Sequence, residues 1–273
     1  LNIGSATNTG TVVFTGANTY TGGTTIAASS TLQLTGSGAL GAGAVVDNGT
    51  LSFNNSAINT VSGITGSGTI AVANGSGLKL AGDLGITTTI ANGGFLDLNG
   101  QNSTANISIA GAGNTLNSNA GALINSSATA STQSGTVTMT AASTVGGTGD
   151  ITISGIISGT TAFTKAGSNT LILSGANTYS GTKTISGGIL SVATGGTSGT
   201  NLSTGTVTLG GGTLLINTTG TISNAITLAT GTNTIAAASG VTGTLSGVIS
   251  GAGTGALNIG SATNTGTVVF TGA

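Results

Sequence analysis

The first seventeen residues, Leu1 to Ala17, recur without a single change as Leu257 to Ala273, an offset of 256. An unbroken match of that length does not arise by chance even in a biased composition, and a fixed period marks a chain built by stacking. The expectation is a parent array of near-identical 256-residue units, with residues 1–256 forming one unit and residues 257–273 opening the next. Such an array needs a fold that can be continued along an axis, so each unit must rest on its neighbours.

Weaker repeats lie inside the unit. Val12 to Ile26 (VVFTGANTYTGGTTI) aligns with Leu171 to Ile185 (LILSGANTYSGTKTI) at an offset of 159, and each is followed by a short apolar alternation, Leu32-Gln33-Leu34 and Leu190-Ser191-Val192. A shorter echo, Ser-Gly and then Gly with two or three residues between, starts at Ser62, Ser154 and Ser246, each 92 residues after the last. From the sequence these pieces recur without strict registration.

Between the repeats the chain reads as short strands. Leu78-Lys79-Leu80, Ile107-Ser108-Ile109, Val137-Thr138-Met139, Ile151-Thr152-Ile153 and Val207-Thr208-Leu209 alternate apolar and polar residues, the period of a strand with one buried face. Clusters of Gly, Asn, Ser and Thr separate them as turns require. Gly, at 52 residues, is too frequent for helices; it is expected at corners needing positive φ, with Asn the next best residue there. Stacked coils place like side chains over one another, which disfavours charge and favours Asn and Thr ladders over a narrow apolar interior. The fold class expected is all-β, a right-handed parallel β-solenoid in a continuous fibre-like stack. With coils of about 20 residues and strands about 4.8 Å apart, one unit holds roughly 12 coils and advances about 60 Å.

Composition excludes most chemistry. The charged residues are Lys79, Lys165, Lys183, Asp47, Asp83, Asp97 and Asp150, with no Glu, Arg, His, Cys, Trp or Pro, and no charge at all from Thr184 to Ala273. General acid–base and nucleophilic catalysis need a His or a tuned carboxylate beside a second group, and glycoside hydrolysis needs paired acids. Three Lys and a net charge of -1 argue against nucleic acid and anionic lipid, and no stretch of about 20 residues is apolar enough for a membrane-spanning helix. No enzymatic activity is expected, and no catalytic, cofactor-binding or metal site. The absence of Cys fits a secreted protein that does without disulfides, and no secretory leader opens the segment, so targeting information, if any, is expected outside it.

The blocks Gly16-Ala17-Asn18-Thr19-Tyr20-Thr21-Gly22 and Gly175-Ala176-Asn177-Thr178-Tyr179-Ser180-Gly181, each leading into a strand, resemble the autotransporter-associated β-strand repeat of bacterial surface-protein passengers. The resemblance covers about 55 residues directly and implies export, a right-handed β-helix and display outside the cell. It does not imply one activity. Spacing after the block differs between the two copies, so coil lengths are expected to vary.

Individual residues have structural readings. Tyr20 and Tyr179 are expected to pack at corners with bonded hydroxyls, and Phe14, Phe53, Phe95, Phe163 and Phe270 to stack inside. Gly146 to Ile151 is similar to a calcium-binding nonapeptide but is single and one residue short, so it reads as a turn. The threonine pairs Thr19/Thr21, Thr87/Thr89, Thr136/Thr138, Thr206/Thr208 and Thr232/Thr234 are too irregularly spaced for an ice-binding array. Asn-X-Ser/Thr sequons follow from composition, and the three Lys are expected on solvated faces. The function expected is a structural repeat of a bacterial extracellular or cell-surface fibre or stalk, self-stacking end to end with neighbouring repeats. The alternative is an adhesin passenger binding a surface or host ligand along its length.

Overall fold

The computed structural model describes residues 1–118, 120–192, 201–251 and 255–272. Among them lie 31 short strands and no helix, and every strand pairing is parallel. The chain winds into a parallel β-solenoid of about 12 turns. Each turn carries up to three strands, one per face, so the cross-section is three-sided.

Face 1 begins with Thr11–Phe14, Thr31–Thr35, Thr50–Asn54, Thr69–Val72 and Thr87–Ile90, each in register on the one before. It continues through Ile107–Gly111 and the start of Val137–Gly147 to Ile157–Ser158, passes residues 177–179 and 201–203 without regular strand, and resumes as Gly220–Ile222, Thr242–Leu245 and Thr267–Phe270. Face 2 runs from Ile58–Val61 through Phe95–Asp97, Phe163–Lys165 and Lys183–Ile185 to Ile249–Gly251. Face 3 runs from Asn2–Ile3 through Thr24–Ile26 and Val45–Asp47, later through Ser131–Gln133, Ile151–Ile153 and Thr170–Leu173, to Gly255–Ile259.

Alternation along each strand sorts side chains. On face 1 the inward columns are Leu32, Leu51 and Ile70, and beside them Leu34, Phe53 and Val72, all buried. The outward column Thr11, Thr31, Thr50, Thr69 and Thr87 is a threonine ladder with one residue per coil, and the hydroxyls of Thr50 and Thr69 lie 3.4 Å apart. Like stacks on like because in-register parallel strands put equivalent Cβ atoms one above another.

Coil length is not a uniform 20 residues. Steps between partners range from 18 (Thr69 to Thr87) to 32 (Gly111 to Ser143). A solenoid tolerates this because only the strands must register, while corners extrude spare residues to solvent. Of the residues with positive φ, the non-glycines are Ser29, Ser56, Asn99 and Ser203, so serine rather than asparagine is the usual substitute for glycine at these corners.

The winding explains the internal repeats. The first GANTY copy leaves face 1 and its Thr24–Ile26 strand lies on face 3, whereas the second leaves face 3 and its Lys183–Ile185 strand lies on face 2. Ser62, Ser154 and Ser246 sit at the corners from face 2 to 3, 3 to 1 and 1 to 2. The shorter repeats are therefore registered, in thirds of a coil, and the module is one face plus one corner, about seven residues when 256 residues are divided over three faces of about 12 turns. Only the 256-residue offset returns to its starting face, from Thr11–Phe14 to Thr267–Phe270.

Phe53 and Phe163 are each 1% exposed within the apolar core, as interior stacking requires, whereas Phe95, also 1% exposed, corrects that expectation: its neighbour Leu96 takes the inward phase in register with Leu78, so the Phe95 ring lies on the outer phase against Gly77. Phe14 is half-buried and Phe270 is 46% exposed, because each lies on a terminal coil whose outer side has no neighbour. Leu1, Val12 and Ile259 are exposed for the same reason, whereas Val13 faces solvent on the outward phase of its strand.

Candidate functional site

The polar groups that survive in so apolar a chain are mostly spent holding one coil to another. Asp83 Oδ1 accepts from Asn102 N at 2.9 Å, Asp97 accepts from Ser126 N at 3.0 Å and Ser126 Oγ at 2.6 Å, and Asp150 Oδ1 accepts from Thr170 N at 2.7 Å. In each case the donor is one coil further along, and a carboxylate that caps a backbone N–H is a strong clamp. Asp47 accepts within its own turn, from Gly49 N at 3.0 Å, and burial raises its carboxyl above the ordinary range against the lowering effect of the Gly49 and Leu51 backbone N–H groups. The four carboxylates thus serve separate coils.

The GANTY motif has a definite job. Asn18 Nδ2 donates to Ala39 O at 2.8 Å and Asn177 Nδ2 to Asn201 O at 2.7 Å, each on the following coil. Asn177 Oδ1 also accepts from Ile157 N at 2.7 Å on the preceding coil. The motif asparagine therefore ties adjacent coils together where regular strand pairing lapses.

The tyrosines differ with what covers them. Tyr20, half-buried on the first coil, shares a 2.6 Å hydrogen bond with Thr24 Oγ1. Tyr179 is fully buried and its hydroxyl has no partner among the described residues, contrary to the expectation of a bonded corner; burial raises its pKa well above the usual 10.0. Its ring centroid lies 5.7 Å from that of Phe163, and the residue equivalent to Thr24 is Lys183, whose Nζ stands 4.8 Å from the Tyr179 centroid. A cation over an aromatic face replaces a hydroxyl pair.

Lys165 and Lys183 overturn the reading of solvated lysines, since both are 0% exposed. Phe163-Thr164-Lys165 and Lys183-Thr184-Ile185 put each lysine on the inward phase of its strand. Their ammonium groups are received by corner carbonyls. Lys165 Nζ donates to Ala166 O at 2.7 Å, Gly187 O at 3.2 Å and Gly167 O at 3.3 Å, and Lys183 Nζ donates to Thr204 O, to Gly181 O at 3.2 Å and to Gly205 O at 3.5 Å. Burial lowers both to about 8, with Asp150 partly opposing this for Lys165.

That depression has a signed consequence. Between pH 8 and 10.5 the unfolded chain holds lysine protons that the folded chain has released, so stability rises with pH across this window. Tyr179 acts in the opposite sense once the pH passes 10. Denaturant midpoints are expected to increase from pH 7.5 to about 9.5, and the increase is expected to vanish in the Lys165→Met, Lys183→Met double variant. A wild-type profile that is flat or falling over that range contradicts the assignment.

Gly146 to Ile151 forms a strand end and a turn, with Asp150 Oδ1 already engaged by Thr170 N. No cluster of three or more His, Cys, Asp or Glu exists among the described residues. A cleft of about 340 Å³ opens on face 2 where the 39–43 corner lies below Ile58–Val61; Leu34, Leu40, Phe53 and Ile64 wall it and Asn59 stands in its lining. It holds no titratable group.

Fold and clamps together define a parallel β-solenoid whose polar chemistry is directed along its own axis. Residues 6–28 and 163–192 match the family model of the passenger-associated-transport-repeat, and both matches contain the GANTY block that supplies the asparagine clamp. The chain thus carries two copies of a repeat found in autotransporter passengers, which are secreted or cell-surface regions. Neither the curated proteins nor the solved structures gave a match.

Proposed function

We propose that this chain is a structural segment of a bacterial extracellular or cell-surface fibre or stalk, stacking on itself and working mechanically rather than by catalysis. One observation carries the reading: a 256-residue sequence repeat that comes back to the same face after about 12 turns. A unit of whole coils can be repeated indefinitely without rotating its faces out of phase, and the ladders and apolar column run on through it. The clamps from Asp83, Asp97, Asp150, Asn18 and Asn177 all act between coils, where a stalk under tension needs them.

Electron micrographs of the native material are expected to show filaments with an axial repeat of about 58 Å, which is about 12 coils at about 4.8 Å each. Globular particles would refute the fibre. Saturable binding of the purified chain to one host ligand in a cell-adhesion assay would move the reading to the adhesin alternative.

A further inference from the structure

The duplicated segment is present twice in one molecule but in two different surroundings, and the pair of views defines a surface. As residues 1–14 the segment has coils above it only: Thr11–Phe14 carries Thr31–Thr35, and Asn2–Ile3 carries Thr24–Ile26. As residues 257–270 it has a coil below it: Leu257, Asn258 and Ile259 lie on Asn233, Thr234 and Ile235, and Thr267, Val268, Val269 and Phe270 lie on Thr242, Gly243, Thr244 and Leu245. Identical residues have identical stacking preferences. We infer that the open lower edge of the first coil is the seat for residues 233–245 of a preceding 256-residue unit, in that same register, the place that residues 257–270 take within this chain. This rests on the fibre reading and specifies its joint.

Subtracting the 256-residue offset gives the contacts. Leu1 and Ile3 sit over Asn233 and Ile235 of the preceding copy, Val13 over Thr244, and Phe14 over Leu245. The inward residues of the lower edge that this joint covers are bare in the single chain. Leu1 and Val12, on the inward phase of the lower edge, are 47% and 38% exposed. Exposed apolar strand edges of this kind are normally covered.

The two surfaces are also different from each other. The upper edge of the last complete coil offers Gly243 beside Leu245, while the lower edge of the first offers Val12 beside Phe14. Gly243 has no room for a side chain, since a Cβ there would collide with Ile216, and Val268, the copy of Val12, lies directly on it. A joint between unlike surfaces is head-to-tail and open-ended, which is the geometry of a filament and not of a closed dimer.

The chain contains no Cys, so an engineered disulfide reports one contact. In a two-unit chain, residues 1–256 followed by residues 1–273, Thr244→Cys in the first unit and Val13→Cys in the second should oxidise to a single intrachain disulfide, because parallel in-register neighbours fall within disulfide reach. Pairing Thr244→Cys with Thr11→Cys, two residues out of register, should react at least roughly tenfold more slowly. The 273-residue chain with Thr244→Cys and Val269→Cys holds the same contact in miniature and serves if the longer chain folds poorly. Equal rates for the two pairs, or no cross-link in a chain with intact far-UV β signal, would overturn the joint. A disulfide in register without filaments in the native material would retain the joint and remove the fibre role; filaments of the expected repeat without the disulfide would do the reverse.

Discussion

Replacing Gly155 with valine is expected to cost about 3 kcal/mol or more and to lower the melting temperature by roughly 5–10 °C, or to split the unfolding transition in two. Gly135, Gly155 and Gly175 stack at successive corners between faces 3 and 1. A Cβ on Gly135 would strike Ala105 O, one on Gly155 would strike Gly135 O, and one on Gly175 would strike Gly155 O. The obstruction at each step is backbone, which has nowhere to go without opening the ladder between adjacent coils. Because each coil rests only on its neighbours, a misfit in the middle divides the stack instead of being absorbed. Gly22 has no heavy atom within 4 Å of its projected Cβ, and Gly22→Val should stay within about 0.5 kcal/mol of wild type. Calorimetry decides the matter, and equal losses at the two positions would show that close corner packing is not what the glycines provide.

Phe163→Ala is expected to cost about 3–5 kcal/mol by equilibrium denaturation, with Phe163→Leu recovering most of it. Phe163 is 1% exposed, pairs in register with Ser143 below and Lys183 above, and lies 5.7 Å from Tyr179. Its removal leaves a cavity beside a buried ammonium group. Water entering that cavity would relieve the desolvation that holds Lys183 near 8, so the alanine variant should also show a weaker rise of stability between pH 8 and 10.5. A loss below about 1 kcal/mol would mean that the interior collapses freely at this level.

Much of this was legible in the residues. Alternation predicted the strands, glycine and asparagine clusters predicted corners, and the scarcity of charge predicted stacking of like on like. For the lysines the sequence holds only half of the signal. Phe163-Thr164-Lys165 and Lys183-Thr184-Ile185 already place both lysines on the inward phase, but a buried lysine needs acceptors, and the carbonyls of Gly187, Thr204 and Gly205 come from the next coil, which sequence order does not reveal. The threonine ladder was hidden in a similar way. Pairs two residues apart were irregular, whereas single threonines at 11, 31, 50, 69 and 87 recur once per coil. Coil steps of 18 to 20 residues there, and up to 32 elsewhere, blur any fixed-period search.

Sequence alone settled that the chain is repetitive, all-β and built to stack, because alternation, turn residues and charge density act locally and need no knowledge of distant partners. The tertiary structure alone decided which repeats are in phase. Whether 92, 159 or 256 residues amount to a whole coil depends on how many residues each corner absorbs, and that is set by the hydrogen bonds and close backbone contacts of one coil with the next.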